Sequence, residues 1–216
     1  MQSEEEQIAT IKNWWKRNGT SLLLGVGLAL ALVFGWQAWQ QHQAEQMSAA
    51  GSQYQQLLTA ATKQQPTDKD AETIRYVAEA LRNDFADTPY AVYGTLILAG
   101  HQVTEQGKPE AAADSLKWAL SRAESGPLKL LVRQRLAQAQ FAAEQPDAAL
   151  ATLNEAGETG AFTALYAELE GDILRAQGNA EEAREAYKRA SEAASGPTAS
   201  PMLQLKMADM AIPEDA

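Results

Sequence analysis

From Leu22 to Trp36 the chain runs fifteen residues without a polar side chain, LLLGVGLALALVFGW. Extended to Thr20 and Trp39 the apolar stretch is about 20 residues, or roughly 30 Å of helix, enough to cross a bilayer core. Beyond it the pattern changes to one of faces. AEQMSAAGSQYQQLLTAAT continues as a helix that packs through Tyr54, Leu57 and Leu58. QQPTDKD (64–70) reads as a turn, and AETIRYVAEALRNDF places Ile74, Val77, Ala78 and Leu81 on one side of a further helix. Thr88 and Pro89 have the residue types of an N-cap and a first helical position.

The next hundred residues repeat themselves. GKPEAAADSLKWA (107–119), EQPDAALATLNEA (144–156) and GNAEEAREAYKRA (178–190) are near copies at offsets of 37 and 34. Gly100, Ala137 and Gly171 align under those offsets, then Gly107, Glu144 and Gly178. Ala112, Ala149 and Ala183 follow, then Leu116, Leu153 and Tyr187, then Ala119, Ala156 and Ala190. Small residues at helical spacing beside one large residue suit antiparallel helices at the point where they cross. Pro109, Pro146, Gly107 and Gly178 mark the turn inside each pair. This 34-residue pattern resembles the tetratricopeptide repeat over residues 93 to 194. The match is degenerate: the early bulky position holds Leu96, then Arg133, then Ala167, Glu144 stands where glycine is usual, and SGPL (125–128) reads as an insertion. Gly196 and Pro197 break the chain, and Ser200 and Pro201 restart it for a short helix with Met202, Leu203, Leu205 and Met207. That helix is expected to close the apolar end of the last repeat. The fold class expected is therefore all-α: one N-terminal transmembrane helix, then a tetratricopeptide-like solenoid of helical hairpins with a C-terminal capping helix.

Flanking residues give the apolar helix a direction. Trp14 and Trp15 precede it and Trp36 and Trp39 close it, as rings at two lipid–water interfaces would. Lys12, Lys16 and Arg17 lie just before it, and no Lys or Arg follows until Lys63. By the positive-inside rule the N-terminus is cytoplasmic and everything beyond residue 40 is exported. The run ends in the large polar WQAWQQHQ rather than a small-residue cleavage site, so it reads as an uncleaved anchor. Gly27, Ala31 and Gly35 recur every fourth residue and form a candidate packing face for another membrane helix.

Charge and chemistry narrow the function. After residue 40 there are 15 Lys and Arg against 25 Asp and Glu, too acidic a body for nucleic acid. There is no cysteine and there are only two histidines, His42 and His101, so thiol chemistry is excluded and no metal-ligand cluster forms. Asp68, Asp70 and Glu72 lack the glycine and distant glutamate of a calcium loop and read as helix-start carboxylates. No nucleophile–base pair or phosphate-cradling loop occurs, so neither an enzyme, a cofactor nor a small-molecule substrate is expected. Function then rests on surface. In the repeat that the chain resembles, the first helix of each pair lines the concave side. Carried across, the lining positions are Ile97, His101 and Thr104, then Gln134, Gln138 and Phe141, then Glu168, Asp172 and Arg175. The Lys and Asn clamp that some such domains use for a chain-end carboxylate is missing from these positions.

Taken together, the Trp-flanked anchor, the AAADSLKWAL and RLAQAQFAAEQPDAALATL helices and the terminal MLQLKM segment resemble the ancillary subunit of the bacterial SecYEG translocon, the YfgM family. That resemblance implies a single-pass protein of the bacterial inner membrane with its repeat domain in the periplasm. It implies partnership with the translocon and with a membrane-anchored periplasmic prolyl-isomerase-like chaperone, and hand-over of unfolded exported polypeptides to periplasmic chaperones. A scaffold subunit of another envelope assembly (division, pilus or secretion machine) shares the same architecture. The expected organisation is a cytoplasmic tail at 1–19, a membrane helix at 20–39, a helical lead-in at 40–90, three repeats at 91–196, and a capping helix and tail at 197–216.

Overall fold

A computed structural model describes residues 4–124, 126–194 and 201–210. Among them there are nine α-helices, a single 3-10 turn and no strand. The chain divides into two compact units, Met1–Ala49 and Ala50–Ala216. The breaks expected at Gly196–Pro197 and Ser200 and the tail after residue 210 fall outside the described residues, as does Ser125 of the expected insertion.

Helix α1, Glu4–Ala61, carries the apolar stretch, and among the described helices it alone is long and apolar enough to cross a membrane. Leu24 is 70% exposed and Phe34 63%. A soluble helix has no reason to present such a surface on every side, and lipid is the solvent that satisfies it.

The second unit begins with the last turns of α1. Ala50, Leu57 and Ala60 are buried there against Ile74, Val77, Ala78 and Leu81 of α2, Asp68–Asp84. All four positions expected on the α2 face are buried, whereas of the three expected on α1 only Leu57 is fully buried. Tyr54 instead joins Tyr90 and Tyr93 in a ring cluster, with centroids 5.5 and 5.9 Å away. The expected helix-start carboxylate is a capping box: Asp70 accepts from the Thr67 backbone N–H while Thr67 Oγ1 accepts from Asp70 N–H. Hydrogen bonds from Lys63 and Thr67 hold the Asp70 carboxyl down to about 2. Thr88 stands at the N-cap of α3, Pro89–Thr104, but its hydroxyl donates backward to the Phe85 carbonyl and caps nothing.

Helix pairs then follow in order: α3 with α4, Pro109–Arg122; α5, Pro127–Ala142, with α6, Pro146–Asn154; and α7, Thr163–Ala176, with α8, Ala180–Ala193. Pro sits at the first position of α3, α4, α5 and α6, where its missing N–H is of no consequence. The aligned turn residues Gly107, Glu144 and Gly178 all have positive φ, at 59°, 58° and 83°. Glu144 is the sole described non-glycine residue to do so, so the middle repeat keeps the turn geometry at the cost of strain.

The cores form where the repeat pattern places them. Ala112, Leu116 and Ala119 are buried with Val132 and Leu136, and Ala149 and Leu153 with Tyr166 and Ile173. Ala183, Tyr187 and Ala190 are buried with Ala167. The last group also holds Leu203 of α9, Pro201–Asp209, with Met207 and Met210 against it. Two residues of the expected capping face point outward instead: Met202 is 57% exposed and Leu205 68%. A two-turn helix docked along one side buries one stripe only.

Candidate protein-interaction surface

The first helix of each pair, α3, α5 and α7, carries the expected lining residues, and three different environments meet them. On α3, Ile97, His101 and Thr104 lie together on a cleft of about 400 Å³ that Ala60 and Ala61 at the end of α1 and Lys63 just beyond it also line. Ile97 packs against the core beside it. The Nε2 atom of His101 is buried with no hydrogen-bond partner among the described residues.

On α5 the trio is split. Gln134 is buried, with its Oε1 unpartnered among the described residues, and Phe141 packs onto the cluster around Ala137, Ala149 and Leu153. Gln134 therefore belongs to the interior rather than to the lining surface expected of it, while Phe141 is partly buried at the edge of that cluster. Next to Gln134, Arg133, at the early bulky position, is largely buried and donates to the Thr152 carbonyl and to Glu155 of α6. Gln138 alone stays exposed.

On α7 the expected row is in use within the chain. Lys206 of α9 donates to Glu168 and Asp172, 2.8 Å from each, and Arg175 pairs with Asp209 of the same helix. The Tyr187 hydroxyl donates to the other Asp172 oxygen at 2.9 Å. Burial opposes charge on Lys206, but its bonds to Asp172 and Glu168 and their negative charge outweigh it and the net shift is upward. Burial and the Asp172 carboxylate raise the Tyr187 phenol far above its ordinary range.

Between α3 and α5 lies a groove of about 320 Å³. Leu96, Gly100 and Val103 form one wall, Arg135, Gln138 and Ala139 the other, and Thr104 sits at its end. Gly100 was aligned with Ala137 and Gly171 as a crossing residue, yet a Cβ on it would meet nothing within 4 Å. At Gly171 the same atom would lie 2.6 Å from the Tyr187 ring. The close helix crossing belongs to the third repeat, and in the first repeat the glycine opens the groove. Residue types alone did not pick out Leu96, Val103 or Arg135 as groove residues; the signal available was Arg135 three residues before Gln138, on the same side of a helix.

A second depression, about 480 Å³, opens at the amino ends of α3 and α5, lined among others by Asp87, Pro89, Tyr93, Arg122 and Leu128. Arg122 pairs with Asp87 there and, with Arg82, lies over the Trp118 ring, at 5.9 and 4.7 Å from its centre. Gly27 and Gly35 of α1 have no atom near the position of a Cβ, and Ala31 is exposed between them. No three His, Asp or Glu side chains converge to hold a metal among the described residues.

Comparisons with known proteins cover nearly the whole chain. Residues 12–212 match the tetratricopeptide repeat-like domain family. A protein of Haemophilus influenzae named ancillary SecYEG translocon subunit is 35% identical over 89% of this chain and 90% of its own. The protein of that name in Escherichia coli is 30% identical over 98% of both, and that of Aggregatibacter actinomycetemcomitans is 33% identical over 88% and 89%. No solved structure matches the chain significantly.

Proposed function

The chain belongs to the family of ancillary SecYEG translocon subunits with a tetratricopeptide repeat-like domain, and on that footing we propose that it is a membrane-anchored partner of the translocon that acts by contact rather than by chemistry. One observation carries the reading. The relatives are matched over almost their entire length, so the helix of membrane-spanning length and the repeats are matched together, in the same order.

In this reading α1 crosses the inner membrane once. The cations Lys12, Lys16 and Arg17 keep the amino end in the cytoplasm, and the repeat unit stands in the periplasm. Tethering confines the repeats to the membrane surface, so weak contacts act at high effective concentration. Their acidity disfavours anionic headgroups and leaves the groove side for protein. The partners proposed are the translocon, a membrane-anchored prolyl-isomerase-like chaperone, and polypeptides emerging on their way to periplasmic chaperones. The Gly27–Ala31–Gly35 side of α1 is the proposed contact within the bilayer, because small side chains let a second helix backbone approach.

Two measurements test this. Purification of the tagged chain from mild detergent is expected to bring translocon components with it, and to bring less of them from the Gly27→Leu, Gly35→Leu variant. Equal recovery from that variant removes α1 from partner recognition, and absence of the translocon from both removes the function. Protease added to spheroplasts is expected to digest the repeat unit; its protection overturns the topology.

A further inference from the structure

We propose that residues 7–18 of α1 form an amphipathic helix that lies along the phospholipid interface, its apolar side in the acyl boundary and its cations at the lipid phosphates. This rests on α1 crossing a bilayer, as read above, and not on which side of the membrane its amino end faces.

Residue order sets the face. At 3.6 residues per turn Ile8, Ile11, Trp14 and Trp15 fall within an arc of about 120°, and Lys12, Lys16 and Arg17 lie on the rest of the circumference. All four apolar residues are exposed, and Ile11, at 68%, is nearly as bare as Leu24 inside the apolar stretch. From Leu22 to Trp36 the helix is apolar on every side, whereas this segment has one apolar side and one charged side. A helix of that kind lies in the plane of the interface rather than across it.

A straight rod does not satisfy the segment. Trp15 and Trp36 are about 32 Å apart along the axis, which matches the hydrocarbon core and seats a ring at each edge. Ile11 and Ile8 then stand about 6 and 10 Å beyond Trp15, while the headgroup layer is only about 5–8 Å deep. Tilting the whole helix until Ile8 met hydrocarbon would draw in Lys12, Lys16 and Arg17 first, because they lie between Ile8 and the span. A bend avoids that conflict, and α1 is weakest for one at Asn18 and Gly19. The Asn18 side chain donates to the Trp14 carbonyl at 3.2 Å, competing with the backbone for that acceptor, and glycine is the poorest helix former after proline. The Trp15 ring lies against Gly19, where a Cβ would be 3.2 Å from it, so an interfacial ring stands at the bend itself. The structure shows α1 unbroken there, so the bend belongs to the lipid-bound chain.

Glu4, Glu5 and Glu6 equal the three cations in number, so net charge does not drive the attachment. The apolar arc does, and Lys12, Lys16 and Arg17 reach the phosphates beside the bend as long cationic side chains do at an interface.

The chain has no cysteine, so a single introduced one takes a nitroxide label without competition. The full chain, in lipid nanodiscs that leave both faces of the bilayer open, is labelled in turn through Ile8→Cys, Ala9→Cys, Ile11→Cys and Asn13→Cys. Power saturation then compares access of oxygen with access of a water-soluble nickel complex. Labels at 8 and 11 are expected to favour oxygen severalfold more than labels at 9 and 13, the alternation of a helix lying flat. Ile8→Ser with Ile11→Ser should free the segment and narrow the spectrum of a label at 9, with the melting temperature of the repeats in place. Equal access of nickel to all four positions means a rod ending in water, and shielding of 8 and 11 from both reagents means that protein covers them. Either result, or an unchanged spectrum in the serine variant, overturns the proposal. Protease digestion of the repeats and recovery of the translocon are measured separately, so failure here leaves the topology and the function standing.

Discussion

The first and third repeats carry glycine at the same place, and the two glycines do opposite things. Gly171 lets α7 and α8 close until the Tyr187 ring fills the space a side chain would need, and the polar row of α7 is then sealed by α9. A Cβ on Gly100 would meet nothing within 4 Å, and the residue faces an open groove. Equivalent positions in a repeat share backbone geometry, but their surroundings come from the neighbour stacked on them. In a solenoid each repeat contacts only the next, so the place open to a partner is wherever that neighbour leaves a gap.

Substitutions at the two ends should separate these roles, read as melting temperature and denaturant midpoint of the full chain. Tyr187→Ala should cost most, about 3–5 kcal/mol, because it empties a fully buried ring site. Gly171→Ala should cost about 1–3 kcal/mol by pressing a methyl into that ring. Lys206→Ala should cost about 1 kcal/mol, since it leaves Glu168 and Asp172 without the charge they share. Gly100→Ala should instead stabilise by about 0.5–1 kcal/mol, the ordinary gain in a helix interior with room for the methyl. A loss at Gly100 equal to that at Gly171 would mean the two crossings are alike.

Alkali tests the third-repeat contacts in another way. The folded-state values of both Tyr187 and Lys206 are raised. Their contributions are therefore complete below the unfolded values, about 10 and 10.4, and are lost as pH climbs beyond them toward the folded ones. The loss of stability above pH about 10 should be smaller in a Tyr187→Phe, Lys206→Ala variant than in the parent, the remainder including Tyr54 beside Tyr90 and Tyr93, whose value burial also raises. Acid reaches the other end. The Asp70 carboxyl is held down to about 2, so its support for the start of α2 is present above the unfolded value of about 3.9 and fades as pH falls toward 2.

Local features were legible from residue order. The buried face of α2 follows from periodicity, and the turn at Glu144 follows from its alignment with Gly107 and Gly178, because backbone conformation there is fixed within a few residues. Features that depend on distant neighbours were not. Nothing in the letters distinguishes a glycine in a crossing from one on a groove, and a polar row such as Glu168, Asp172 and Arg175 reads the same whether solvent or α9 covers it. Gln134 is buried where its residue type suggested surface, and the outward Met202 and Leu205 reflect how little of a two-turn helix can dock.

Placing a photo-crosslinking residue at Gln138 and, separately, at Asp172 in living cells would decide where partners touch the repeats. From Gln138 the crosslinks should run to translocon components or to polypeptide in transit, and from Asp172 they should close internally onto α9. Partner crosslinks from Asp172 that equal or exceed those from Gln138 would show that the groove between α3 and α5 is not the surface that meets the partner.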